Sequence, residues 1–157
     1  MFVGFSENIG KGLVAGAVGT AAMTLSSTIE AKLRNRGAST APADAARTVL
    51  GIEKFESDTA EERFGELVHW AYGTGWGVVR GLLRTVGLRG RLSTLTHLAA
   101  VYGTEQVMLP RLDVAPPASQ WGAKEIAIDL WHHVVYAVAT AAAYERLDRR
   151  SRRQALG

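Results

Sequence analysis

The sequence contains no cysteine. That excludes disulfides, thiolate metal ligands and a cysteine nucleophile, and leaves the compartment open. No stretch alternates apolar and polar residues with period two, so no sheet is expected. There is neither a phosphate-binding loop nor a nucleophile elbow. The run Gly73-Thr74-Gly75-Trp76-Gly77 is glycine-rich, but no strand precedes it and its spacing is wrong for a nucleotide loop. Internal repeats and low-complexity segments are absent. A basic region ahead of the first apolar run is also missing, with only Lys11 on offer, so a cleaved signal is not expected.

What is present fits one domain of 157 residues. Hydrophobic residues make up 47% and charged ones 21%, ordinary values for a folded chain. The mean hydropathy of +0.03 lies above a typical soluble enzyme and below a protein that is mostly membrane. The net charge of +3 comes from a tail of Arg146, Arg149, Arg150, Arg152 and Arg153. Such a tail could touch nucleic acid or anionic lipid; it reads here as a cytoplasmic anchor or a solvated end, with no nucleic-acid partner.

Four long helices are predicted, over about 8–33, 59–86, 91–109 and 121–147, with a basic tail over 148–157. Asn8 or Ser6 can cap the first, and Asn35 and Gly37 end it. A short amphipathic helix is expected over Pro42 to Leu50, capped by Ser39 or Thr40 and stopped by Gly51. Pro110 closes the third long helix, and Arg111 to Gln120 reads as an extended loop. The expected fold is all-α, an antiparallel four-helix bundle.

Glycine argues for lipid around that bundle. Gly65, Gly73, Gly77 and Gly81 repeat at helical spacing, and Gly12, Gly16 and Gly19 match them on the first helix. Each glycine inside a water-exposed helix costs about 1 kcal/mol relative to alanine. In a bilayer the same residues let helices approach closely, as a glycine zipper. Gly12, Gly16, Gly73, Gly77 and Gly81 are therefore the predicted packing residues, against one another, a second copy or a membrane-complex partner. Trp70, Trp76, Trp121 and Trp131 suit interfacial positions. The basic tail places both termini inside, in the cytoplasm.

From Leu67 onward certain features occur together: the Leu109-Pro110 helix end, Ala115-Pro116-Pro117, Asp129 with His133, and the apolar run ending in Glu145-Arg146-Leu147-Asp148-Arg149-Arg150. In these the chain resembles the YagU-like family of small bacterial inner-membrane proteins, a domain of unknown function. Asp129 stands where that family more often shows glutamate, and the first helix matches poorly. The resemblance implies a helical inner-membrane protein connected with acid tolerance, and supplies no catalytic residues.

The chemistry-bearing residues gather by topology. Glu30 ends the first helix, Glu66 and His69 begin the second, Glu105 ends the third, and Glu125, Asp129 and His132 begin the fourth. An up-and-down arrangement brings them within roughly 10–12 Å of one end. Two carboxylates with Glu66-x-x-His69 and Asp129-x-x-His132 match the donor pattern of carboxylate-bridged di-iron bundles. The candidate metal ligands are thus Glu30, Glu66, His69, Glu105, Asp129 and His132, around a di-metal centre of iron or manganese. Alternatively Glu66, His69, Glu105, Asp129 and His133 form a proton relay or pH-sensing cluster. Glu125, His133 and Tyr136 share the polar face of the fourth helix. Ser26 and Ser27 are expected to bond their own helix carbonyls, and His97 to sit in the core. No catalytic activity is legible. The leading expectation is a small integral membrane protein responsive to pH or cations. A di-metal oxidoreductase and an assembly subunit are the alternatives.

Overall fold

The computed structural model describes residues 2–37 and 39–154, with side chains from Gly4 onward. Its regular elements are α1 (Phe2–Leu33), α2 (Ala41–Leu50), α3 (Asp58–Thr85), α4 (Gly90–Arg111) and α5 (Ala123–Gln154), with a 3-10 turn at Ala118–Gln120. Among the described residues there is no strand, as the missing period-two pattern predicts.

Local chemistry sets the ends of these elements. Asn8 does not start α1. Its side chain bonds Thr85 at 3.3 Å and accepts from the Tyr144 hydroxyl at 3.0 Å, so it is not free to cap. At the other end Asn35 adopts φ 51°, with Arg36 N–H on the Ala31 carbonyl and Asn35 N–H on that of Lys32, a Schellman closure. Gly51 closes α2 the same way at φ 65°. Thr40 precedes α2 without a side-chain cap, whereas Ser57 caps α3 by accepting from Ala60 N–H at 3.2 Å.

Two helices overrun their predicted ends. Pro110 lies inside α4, in the last turn, where the Met108 and Leu109 carbonyls still receive the Leu112 and Val114 N–H groups. Helix α5 continues through the expected tail to Gln154, supported by Asp148–Arg152 at 3.0 Å and Glu145–Arg149 at 3.8 Å. Residues 155–157 of that tail lie outside the described residues.

Side-chain pairs give the directions of packing. Asn8 meets Thr85 and Thr24 meets His69, so α1 and α3 run oppositely. Lys11 with Asp148, and Arg34 with Glu125, oppose α1 and α5. Helix α4 reaches α3 through His97 on the Trp76 carbonyl and α5 through Glu105 on His133.

The α1–α3 contact is backbone on backbone. A Cβ on Gly77 would strike the Gly12 carbonyl, one on Gly81 the Asn8 carbonyl, and one on Gly16 the Thr74 carbonyl at 2.6 Å. A Cβ on Gly73 would meet the Thr20 side chain, while one on Gly65 would meet Ala43 of α2, outside this contact.

Among the described residues several polar side chains are buried beside small apolar ones, and many large apolar side chains are exposed. The largest fully buried side chains are Tyr144, His97, Thr20, Thr140 and Ser93. Leu13, Val14, Val18, Leu25 and Ile29 are exposed along α1, as are Leu67 on α3, Leu95 on α4 and Trp131 on α5. Only Val101 and Leu109 represent the larger aliphatics in the core, fewer than their usual preference for burial would place there. Two helical stretches, Gly4–Leu33 and Ala123–Gln154, are long and apolar enough to cross a membrane.

Candidate cation site

Asp129 and His133 are one helical turn apart, so both side chains leave α5 on one face. Glu105 comes from α4, which runs against that face. His133 Nε2 lies 2.7 Å from Glu105 Oε2, and His133 Nδ1 lies 3.6 Å from Asp129 Oδ1. The three residues can each offer one ligand atom, all within 4.8 Å of one another. The His133 side chain is 8% exposed, that of Glu105 19% and that of Asp129 22%. Gln106 Nε2 donates to Asp129 Oδ2 at 3.4 Å, and the Tyr102 ring meets the imidazole edge at 5.2 Å.

The backbone selects the tautomer. His133 Nδ1 is 2.9 Å from the Asp129 carbonyl oxygen. A carbonyl only accepts, so Nδ1 carries hydrogen, and Nε2 is turned toward the carboxylate. Glu105 Oε2 is buried and has no aligned hydrogen-bond donor, although Nε2 is close. Two lone-pair atoms at that separation repel unless a proton lies between them or both turn to one metal ion. The arrangement can therefore hold one positive charge between helices, with a backbone carbonyl orienting the imidazole as in metal sites.

The six residues predicted as di-metal ligands do not converge. Glu105 and Asp129 join the group above, but the histidine is His133. His132 sits 100° further round α5 and faces α1. There its Nδ1 is 2.9 Å from Ser26 Oγ and its Nε2 is 3.7 Å from Glu30. Glu30 in turn holds Arg34 at 3.1 Å and also Arg36. Two guanidinium groups neutralise that carboxylate. His69 is bonded to Thr24 Oγ1 at 2.8 Å, and Glu66 is exposed on α3.

The predicted polar face of α5 also divides. Glu125 is half-exposed on Arg34 at 2.6 Å, where it and Glu30 raise the Arg34 pKa above its ordinary value. The Tyr136 hydroxyl donates to the Gly73 carbonyl at 2.6 Å. Ser27 bonds the Thr24 carbonyl as expected, whereas Ser26 goes to His132. His97 is fully buried on the Trp76 carbonyl at 3.0 Å.

In the sequence Arg80 interrupts the apolar run that begins at Leu67, and in the fold it is 3% exposed. It bonds Ser93, lies 3.8 Å from Glu145 and stacks over the Tyr144 ring at 5.3 Å. The available signal was its place between Gly77 and Gly81, which mark the buried face of α3.

The described residues form an all-helical protein with many exposed apolar side chains and a carboxylate–imidazole group between two of its helices. No protein-family model, curated protein or solved structure matches the chain.

Proposed function

We propose that this is a small integral membrane protein, an antiparallel four-helix bundle in lipid, whose Glu105–Asp129–His133 group binds one cation. The bound species is a proton at low pH and a divalent metal ion when one is supplied. The observation that carries this reading is the His133–Glu105 contact at 2.7 Å between helices that expose many leucine and valine side chains. Ionisable groups are costly in a bilayer, and those that persist face the interior and handle ions or protons. Three donors suit one metal ion, so a mononuclear site is favoured over a di-metal centre. One imidazole and two carboxylates fit zinc, manganese or ferrous iron.

The role is sensing or storage of the cation, without catalysis. The bilayer is the partner of the apolar exterior, and the arginine-rich end sets both termini in the cytoplasm. The resemblance to the YagU-like family supports a bacterial inner membrane.

Calorimetric titration of detergent-purified protein with Zn²⁺ or Mn²⁺ tests the site. The expected result is one ion per chain with proton release, abolished in Glu105→Gln and His133→Ala. Absence of binding, or binding untouched by both changes, rejects it. Recovery of the protein in the carbonate-soluble fraction of cells rejects the membrane placement.

A further inference from the structure

The molecule is electrically lopsided along its helices. One end carries the start of α1, the α3–α4 connection and the end of α5. It holds Lys11, Arg80, Arg84, Arg89, Arg91 and the five arginines from Arg146 to Arg153, against three acids, Glu7, Glu145 and Asp148. Those acids are already engaged. Glu7 and Asp148 bracket Lys11 at 2.7 and 3.3 Å, Asp148 also holds Arg84 and Arg152, and Glu145 is shared by Arg80 and Arg149.

Arg146, Arg150 and Arg153 fall at i, i+4 and i+7, on one face of α5. All three are exposed and have no acidic partner among the described residues. With Arg149 and Gln154 they line a shallow cleft of about 330 Å³. Near this end stand exposed Phe5 and Leu13 of α1, Leu82 of α3, and Val86 just beyond α3.

We infer that this arginine face binds the phosphodiester headgroups of anionic phospholipids. Unpaired guanidinium groups seek phosphate oxygens, which they can hold through two parallel hydrogen bonds. On α5 itself the exposed Ala142 and Val138 precede Arg146 by four and eight residues, the arrangement that places a cation at headgroup level while its stem stays in hydrocarbon. The level of the arginines rests on the membrane reading above; the test does not.

Full-length protein in a neutral detergent is titrated with dioctanoyl phosphatidylglycerol and, separately, dioctanoyl phosphatidylcholine. The expected result is binding of the anionic lipid at least about tenfold tighter than the zwitterionic one. Changing Arg146, Arg150 and Arg153 together to glutamine should erase that preference, changing them to lysine should largely keep it, and Arg63→Gln at the opposite end should leave it alone. Equal binding of the two lipids, or a preference that survives the triple glutamine change, overturns the proposal. So does displacement of the lipid by inorganic phosphate or by a DNA duplex at lower concentration. Should the protein prove soluble without detergent, the membrane reading falls by itself. Flotation with phosphatidylglycerol but not phosphatidylcholine vesicles would then still support the arginine face, and its absence would overturn it.

Discussion

The Tyr136 hydroxyl of α5 donates to the Gly73 carbonyl of α3 at 2.6 Å, reaching a helix at a point that presents no side chain of its own. The same phenol ring lies 5.7 Å from the buried His97 ring of α4. One residue of α5 thus ties two other helices, once by a hydrogen bond and once by ring contact. Tyr136→Phe removes the bond and keeps the ring. The expected loss is about 0.5–1.5 kcal/mol in unfolding free energy. Tyr136→Ala should cost about 3–5 kcal/mol, as large buried aromatics do. Thermal melts of the two variants in one detergent check the order.

Gly77→Ala should be markedly destabilising, because the added methyl meets the Gly12 carbonyl and Gly16 Cα, backbone atoms that move only with their helices. Overpacking of this kind costs about 1–3 kcal/mol. Gly75 and Gly103 have nothing within 4 Å of an added Cβ. Alanine at either should be neutral or stabilise by up to about 1 kcal/mol through helix propensity. A melting-temperature series over the three positions separates contact glycines from incidental ones.

Metal affinity should fall as the medium is acidified. A metal ion needs the His133 imidazole neutral and the Glu105 and Asp129 carboxylates ionised, and competes with protons for both. Once protons occupy the imidazole, the apparent affinity should drop by at least about tenfold per pH unit. Isothermal titrations from pH 5 to 8 read the slope. A flat profile means that His133 is not a ligand.

Arg34→Gln should change stability little despite three hydrogen bonds to Glu30 and Glu125. Arg34 is only partly buried and its partner Glu125 is half-exposed, and such pairs are weak and screened by salt. Any loss seen at low ionic strength should vanish at high salt. A melt at two salt concentrations decides this, and persistence at high salt would mean a buried pair.

Helical periodicity made some of this arrangement readable. The spacing of Gly12 and Gly16, and of Gly73, Gly77 and Gly81, needs a close partner wherever the helices meet. Gly51 stops α2 because its left-handed φ suits a residue without Cβ. Periodicity also says that His132 and His133 leave α5 in different directions, but not which direction holds α4. That choice belongs to tertiary packing, and it made His133 the partner of Glu105. Length was misread where polarity was taken for the end of a helix. The arginines of α5 are good helix formers and pair with acids one turn back, so the helix runs on. Arg80 was hidden for a related reason, since its burial depends on Ser93, Glu145 and Tyr144 from two other helices.

Helix α1 is bonded on one side to α3 and on another to α5, the last of the described elements. During synthesis from the ribosome, its glycine face can find α3 early. Lys11, Ser26 and Arg34 must wait for Asp148, His132 and Glu125, which emerge more than 90 residues later. The nascent protein therefore passes through a stage in which its first helix is held by one neighbour only, and a premature stop after α4 would leave that stage as the final product.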